Sequence, residues 1–212
     1  MRQRGFSMIE LMVTLVILVL LVLAAMPSIG VWLDNTRIRN EGDSILTGLQ
    51  TARAEAIKRN QNVSFWLVQL TDPATLANDC ALSDSAGSWM VSTLSPASHC
   101  ADPQTWNTDN TPTSNNSAGI ILGRPMGGDS THVSVQALQS NGTATTYITF
   151  NSFGRVADTA SISRINICAV AGGCTATATR NLSVLISMTG SARLCDPLVS
   201  VKTDPRYCPA TP

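Results

Sequence analysis

The pattern of apolar and polar positions divides the chain into three unequal texts. Residues 8–26 are almost wholly apolar, interrupted only by Glu10 and Thr14. Residues 27–59 turn amphipathic. Ile38, Gly42, Ile45, Leu49, Ala52 and Ala56 recur at alternating steps of four and three, which aligns them on one face of a helix. Arg37, Arg39, Glu41, Asp43, Arg53, Glu55, Lys58 and Arg59 fall largely off that stripe. Read together, residues 6–59 form one helix about 80 Å long at 1.5 Å per residue. Its first half projects and its second half packs. Pro27 lies inside it, removes one backbone hydrogen bond and predicts a kink. Gly42, Gly48, Ala52 and Ala56 are small enough to let a sheet approach closely. Two shorter helices broken at Gly30 or Gly42 are the alternative.

Beyond Asn60-Gln61-Asn62, which end the helix, the text becomes short apolar runs between breakers. Residues 63–70 alternate as a strand, with Val63, Phe65 and Leu67 opposite Ser64, Trp66 and Val68. Residues 71–130 are loop-like, punctuated by Asp72-Pro73, Ser95-Pro96, Asp102-Pro103 and Thr111-Pro112. Strand candidates at 88–93 and 120–123 lie inside this segment. Residues 133–138 and 145–150 flank Asn141-Gly142, a hairpin signal. Residues 163–170 and 181–188 are two further strands. Strands that follow a helix in sequence predict a segregated α+β fold: a long N-terminal helix packed on antiparallel, twisted β-sheets, two in number.

Composition changes this picture in two ways. The 212 residues carry no net formal charge, so the totals predict no large basic face. All six cysteines, Cys80, Cys100, Cys168, Cys174, Cys195 and Cys208, lie beyond the apolar run. An even number in an exported domain points to disulfides, for which six cysteines allow 15 pairings. No Cys-x-x-Cys is present, and His99 and His132 have no ligand spacing to the cysteines, so no metal is expected. A phosphate-binding glycine loop and a Gly-x-Ser-x-Gly nucleophile motif are also missing from the sequence. Neither a cofactor nor an enzymatic activity is expected.

The apolar run approaches the roughly 20 residues needed to span a bilayer. Arg2 and Arg4 precede it and orient the N-terminus to the cytoplasm. A secretory signal cleaved near Ala24 and a plain permanent anchor are the competing readings. Neither explains Glu10, because an acid in a membrane segment is costly and needs a partner.

Gly5-Phe6-Ser7-Met8-Ile9-Glu10-Leu11 resembles the class III signal of type IV pilins and type II secretion pseudopilins. The resemblance implies a leader of residues 1–5, cleavage between Gly5 and Phe6 by a prepilin peptidase, and N-methylation of Phe6. It also implies that Glu10 pairs with the new terminal amine of a neighbouring subunit. Two buried opposite charges then compensate each other. Residues 6–35 would be the inner-membrane and filament-core helix, residues 36–212 the periplasmic domain, and the pilus or pseudopilus fibre the destination.

The stretch Ala52-Arg53-Ala54-Glu55-Ala56-Ile57-Lys58-Arg59-Asn60 is similar to the helix-to-strand junction of the GspH/FimT family of minor pilins and pseudopilins. Phe150-Asn151-Ser152-Phe153-Gly154-Arg155 resembles that family's Phe-x-x-x-Gly-Arg turn. Cys195 and Cys208 resemble the C-terminal disulfide loop common among pilins. Cys80 with Cys100, and Cys168 with Cys174 around Gly172-Gly173, complete a sequential pairing hypothesis. The implied partners are other minor and major pilins or pseudopilins. FimT-type members used in natural transformation carry Gly-Arg-x-Arg. Here Gly190-Ser191-Ala192-Arg193 keeps the glycine and the second arginine only. Arg180, Arg193 and Lys202 would form a modest DNA patch, with a solvated strand edge as the alternative. Two classes of function stay open: a structural subunit that helps initiate a fibre, in a pilus or in type II secretion, and a DNA-uptake pilin.

Overall fold

The computed structural model describes residues 7–170, 174 and 179–209, and of residues 23–28 it describes only the helical backbone. Helix α1 runs Met8–Arg59 without interruption. Neither Gly30 nor Gly42 divides it, and its backbone stays helical through position 27. The alternative of two helices is therefore corrected. Asn60 closes the helix in the left-handed region, φ 53°, its N–H reaching back to the carbonyls of Ala56 and Ile57. Asparagine is among the few non-glycine residues that occupy this conformation readily. Lys58 and Arg59 in the last turn suit the negative end of the helix dipole.

The strands are β1 Val63–Gln69, β2 Ala81–Leu82, β3 Ser88–Ser92, β4 Ile120–Arg124, β5 Val133–Leu138, β6 Tyr147–Phe150, β7 Arg164–Ala169, β8 Leu182–Ile186 and β9 Ala192–Cys195. They form two antiparallel sheets. One has the order β2-β1-β3-β4, with β6 also on β1; the other has the order β5-β7-β8-β9. The second half of α1 contacts strands of both sheets. One core joins them: Ile38, Ile45, Leu49, Ala52 and Ala56 of α1 meet Phe65, Trp89, Ile148, Ile165, Ile167 and Val184. The small residues do what their size allows. A Cβ on Gly48 would stand 2.7 Å from Phe65 and 3.0 Å from Trp89, and one on Gly42 would stand 2.9 Å from Leu194.

Two expectations need correction. The Asn141-Gly142 turn forms, with Gly142 at φ +83° and Gln139 N–H bonded to the Thr143 carbonyl. The flanking strands nevertheless do not pair as a hairpin. After one bridge, Leu138 to Ala144, the chain crosses between sheets. β5 pairs along its whole length with β7, while β6 pairs with β1. Trp66 stacks on Tyr147 with ring centroids 4.9 Å apart, and Ser64 bonds Thr149. These cross-strand pairs belong to the β1–β6 register. The second correction is Glu41, which is only 5% exposed. A helix wedged against two sheets buries a wider arc than one stripe.

The 71–130 segment is not a free loop. Alternate residues of β1 and β3 point to opposite sheet faces. Phe65, Leu67, Trp89 and Val91 face α1, whereas Val68 and Met90 face outward. The segment covers that outward face with a second core of Leu70, Cys80, Cys100, Ala118 and Ile120, flanked by Trp66 and Leu76. The Cys80–Cys100 disulfide lies within it. Asn116, fully buried, takes the place of a strand partner for Ile120, accepting its N–H and donating to its carbonyl. Two further disulfides join Cys168 to Cys174 and Cys195 to Cys208.

Candidate assembly site

The projecting half of α1 has no partner in the chain. From Met8, 82% exposed, to Val22, every large apolar side chain lies in the open. A helix apolar all round is stable in lipid or among similar helices, not in water. Ser7 is the N-cap residue without a side-chain cap bond. Glu10, in the first turn, is exposed, and among the described residues no side chain pairs with it. Gly5 and Phe6 lie outside the described residues, as does the side chain of Pro27. Among the described residues no helix is long and apolar enough to cross a membrane. Residues 23–28, which continue the apolar run in the sequence, lie outside that statement.

At the other end of α1 three sequence signatures meet. Arg53 Nε donates to the Gly154 carbonyl at 2.9 Å. Gly154 (φ +70°) packs its Cα on Ile57 and Arg53, and Gly190 (φ +80°) lies against the Gly154 carbonyl, where a Cβ would be 2.0 Å away. Asn151 shapes the turn by accepting the N–H groups of Phe153 and Arg155. Both glycines are required twice, by a positive φ and by close approach. The signatures thus form one structural lock between the helix end, the β6–β7 turn and the β8–β9 turn. Arg59 adds a fourth contact, its guanidinium 3.8 Å above the Trp106 ring, which ties the helix end to the 71–130 segment.

Glu41 is the charged residue that sequence reasoning misplaced. Burial pushes its carboxyl up to about 7; Asp129 adds to the rise and Arg124 opposes it. Its Oε1 has no hydrogen-bond partner among the described residues. Helical spacing could have flagged Glu41, since it lies three residues after buried Ile38 and four before buried Ile45.

The expected DNA patch is not an open row of cations. Arg180 Nε donates to Asp196 at 3.0 Å, and its backbone N–H to Asn35 Oδ1 at 2.6 Å. Arg193 donates to the Pro205 and Tyr207 carbonyls at 3.2 and 3.1 Å, holding the C-terminal disulfide loop. Lys202 stands exposed in a turn of that loop. Ser117, His99 and Asp102 do cluster, but Ser117 Oγ and Asp102 both address the same ring nitrogen, Nδ1. A catalytic relay needs opposite nitrogens for base and orienting groups.

A long helix, free and apolar for half its length, with the rest locked into a disulfide-stapled two-sheet domain, defines a pilin-like subunit. The chain belongs to the GspH family. The profile described as type II transport protein GspH matches residues 41–190, and that of the prokaryotic N-terminal methylation motif matches residues 1–26. The GspH domain behind an N-terminal methylation motif marks a subunit of the pilin and pseudopilin kind, a family of structural proteins. Among solved structures the chain is similar to the Pseudomonas aeruginosa type IV minor pilin FimU in two crystal forms. One is 12% identical, with a TM-score of 0.43 over 78% of this chain and 96% of that one. The other is 14% identical, with a TM-score of 0.44 over 77% and 99%. No curated protein sequence matches the chain at a significant level.

Proposed function

We propose that this subunit is a minor pilin and joins a short priming or tip complex that starts a type IV pilus. A prepilin peptidase cuts between Gly5 and Phe6, and Phe6 is N-methylated. Residues 6–35 wait in the inner membrane while residues 36–212 fold in the periplasm. Other pilins then take up the exposed half of α1, and Glu10 pairs with a neighbour's terminal amine. The observation that carries this reading is the projecting apolar helix whose one acid, Glu10, has no partner among the described residues. Lipid tolerates such a helix but penalises the acid; a bundle with an amine removes the penalty.

Glu10→Leu tests it. The variant is expected to be cleaved and retained in membranes, yet to lower pilus output by about tenfold or more, since one lost buried charge pairing costs several kcal/mol. Wild-type piliation would refute the pairing role. A bulky residue at Gly5 is expected to leave an uncleaved precursor on an immunoblot.

The matched family's description favours a second reading, a type II secretion pseudopilin of the H type. Deletion separates them: loss of pili with normal secretion supports the first, and the converse supports the second. A DNA-uptake role draws less support, because Arg180 and Arg193 are engaged within the fold. Duplex binding at low salt would revive it.

A further inference from the structure

Between α1 and the β8–β9 hairpin lies an open groove of about 470 Å³. Its walls include Trp32 of α1 with Leu182 and Leu194 of the sheet, and three arginines stand around it: Arg39, Arg180 and Arg206. Asp196 is the one acid among the lining residues, and it is already engaged by Arg180 and by the Leu198 N–H. Arg39 meets Asp43 at 3.8 Å with both side chains more than half exposed. Arg206 meets its near neighbour Asp204 at 2.9 Å, with the arginine 58% exposed. The Arg39 pair is long and exposed and holds its partner weakly, so that guanidinium can turn to another anion; Arg206 is gripped by Asp204 through two contacts, from Nε at 3.1 Å and Nη2 at 2.9 Å, and so is fixed in place at the rim.

Apolar walls beneath a cationic rim describe an amphiphile with an anionic head. The groove's position selects which one. Trp32, 65% exposed, lies six residues beyond residue 26, about 9 Å along the helix. A helical side chain leans back toward the N-terminus, here toward the headgroup region in which tryptophan anchors a helix when the apolar run occupies the hydrocarbon. We propose that this groove binds an anionic phospholipid of the leaflet facing the domain. Its phosphate lies between Arg39 and Arg206, and its glycerol and upper acyl chain lie on Trp32, Leu182 and Leu194. The site holds the domain down on the membrane before assembly. A neighbouring subunit displaces the lipid when α1 leaves the bilayer. This rests on the reading that the apolar half of α1 waits in a membrane.

The test uses the full chain purified in detergent, with native mass spectrometry in the presence of phosphatidylglycerol or phosphatidylcholine. Phosphatidylglycerol is expected to be retained about tenfold more tightly, and Arg39→Gln combined with Arg206→Gln is expected to abolish the preference. Equal retention of the two lipids, or an undiminished preference in the double variant, overturns the proposal. Competition by soluble glycerol phosphate as effective as that by the lipid would reassign the groove to free anions, and also overturns it. In cells, membrane retention and Gly5–Phe6 cleavage report on the minor-pilin reading alone. The double variant is expected to keep both, so a failure of that reading is distinguishable from a failure of the groove.

Discussion

The two halves of α1 share one unbroken helix and differ in almost everything else. Residues 8–22 are apolar all round and touch nothing in the domain, whereas Ile38, Ile45, Leu49, Ala52 and Ala56 are fully or almost fully buried. The first half is uniform, a pattern suited to uniform surroundings such as lipid or a ring of like helices. The second is sided and rich in small residues because two sheets press on it. Glycine shows the contrast most sharply. A Cβ at Gly30 would meet nothing within 4 Å, while one at Gly48 would collide with Phe65. Acids show it too: Glu10 is exposed, while Glu41 is sealed in and raised in pKa.

The largest expected effect outside assembly falls at the locked end. Gly190→Ala forces a non-glycine residue to φ +80° and drives a Cβ to 2.0 Å from the Gly154 carbonyl. A loss of about 3 kcal/mol is expected from strain and overlap together. Thermal unfolding of the detergent-solubilised chain reads it; an unchanged midpoint would mean that the lock does not exist.

Glu41 gives a pH signature of similar ceiling. Its native pKa, about 7 against 4.5, means that the folded state binds the proton more tightly than the unfolded state. Stability from this group is therefore fully present below pH 4.5 and is lost as pH rises through 7. The loss reaches on the order of 3 kcal/mol well above pH 7. Glu41→Gln is expected to flatten that part of the pH–stability curve and to gain on the wild type at pH 8 more than at pH 5. An equal difference at both pH values would place the ionisation elsewhere.

Smaller effects come from the paired glycines. Gly48→Ala is expected to cost about 2 kcal/mol by overpacking. Gly30→Ala is expected to change domain stability by less than about 0.5 kcal/mol while raising helicity slightly, since alanine is the better helix former. If both substitutions behaved alike, the division of the helix into a free half and a clamped half would fail.

Much of this division was legible because it is local. The end of α1 at Asn60-Gln61-Asn62 and the bounds of β5 follow from periodicity and turn chemistry read within a few residues. Partner choice was not local. Asn141-Gly142 specifies a tight turn, and the turn is there, but it cannot state that the strand after it will prefer the free edge of β1. That preference lies in Trp66 with Tyr147 and Ser64 with Thr149, more than 80 residues apart. β2 and β9 are too short, two and four residues, to leave a period. The outer core was hidden for a related reason. Its members are scattered singles from Val68 to Ile120, joined only by folding. Of the candidate site, the N-terminal methylation motif was readable in residues 1–26, which its profile matches. The groove at Trp32 was not, because Leu182, Leu194 and Arg206 reach α1 only through the second sheet.

The disulfides have a mechanical consequence. A fibre subunit pulled along its axis takes load through α1, and any yielding of the domain lengthens the chain. Cys80 and Cys100 are 20 residues apart and Cys195 and Cys208 are 13 apart. The first alone withholds about 70 Å of extensible contour at roughly 3.5 Å per residue. The bridges act as stops. A subunit that began to give way would surrender only the slack between them, and residues 80–100 of the segment covering the outer sheet face would stay looped while the rest stretched.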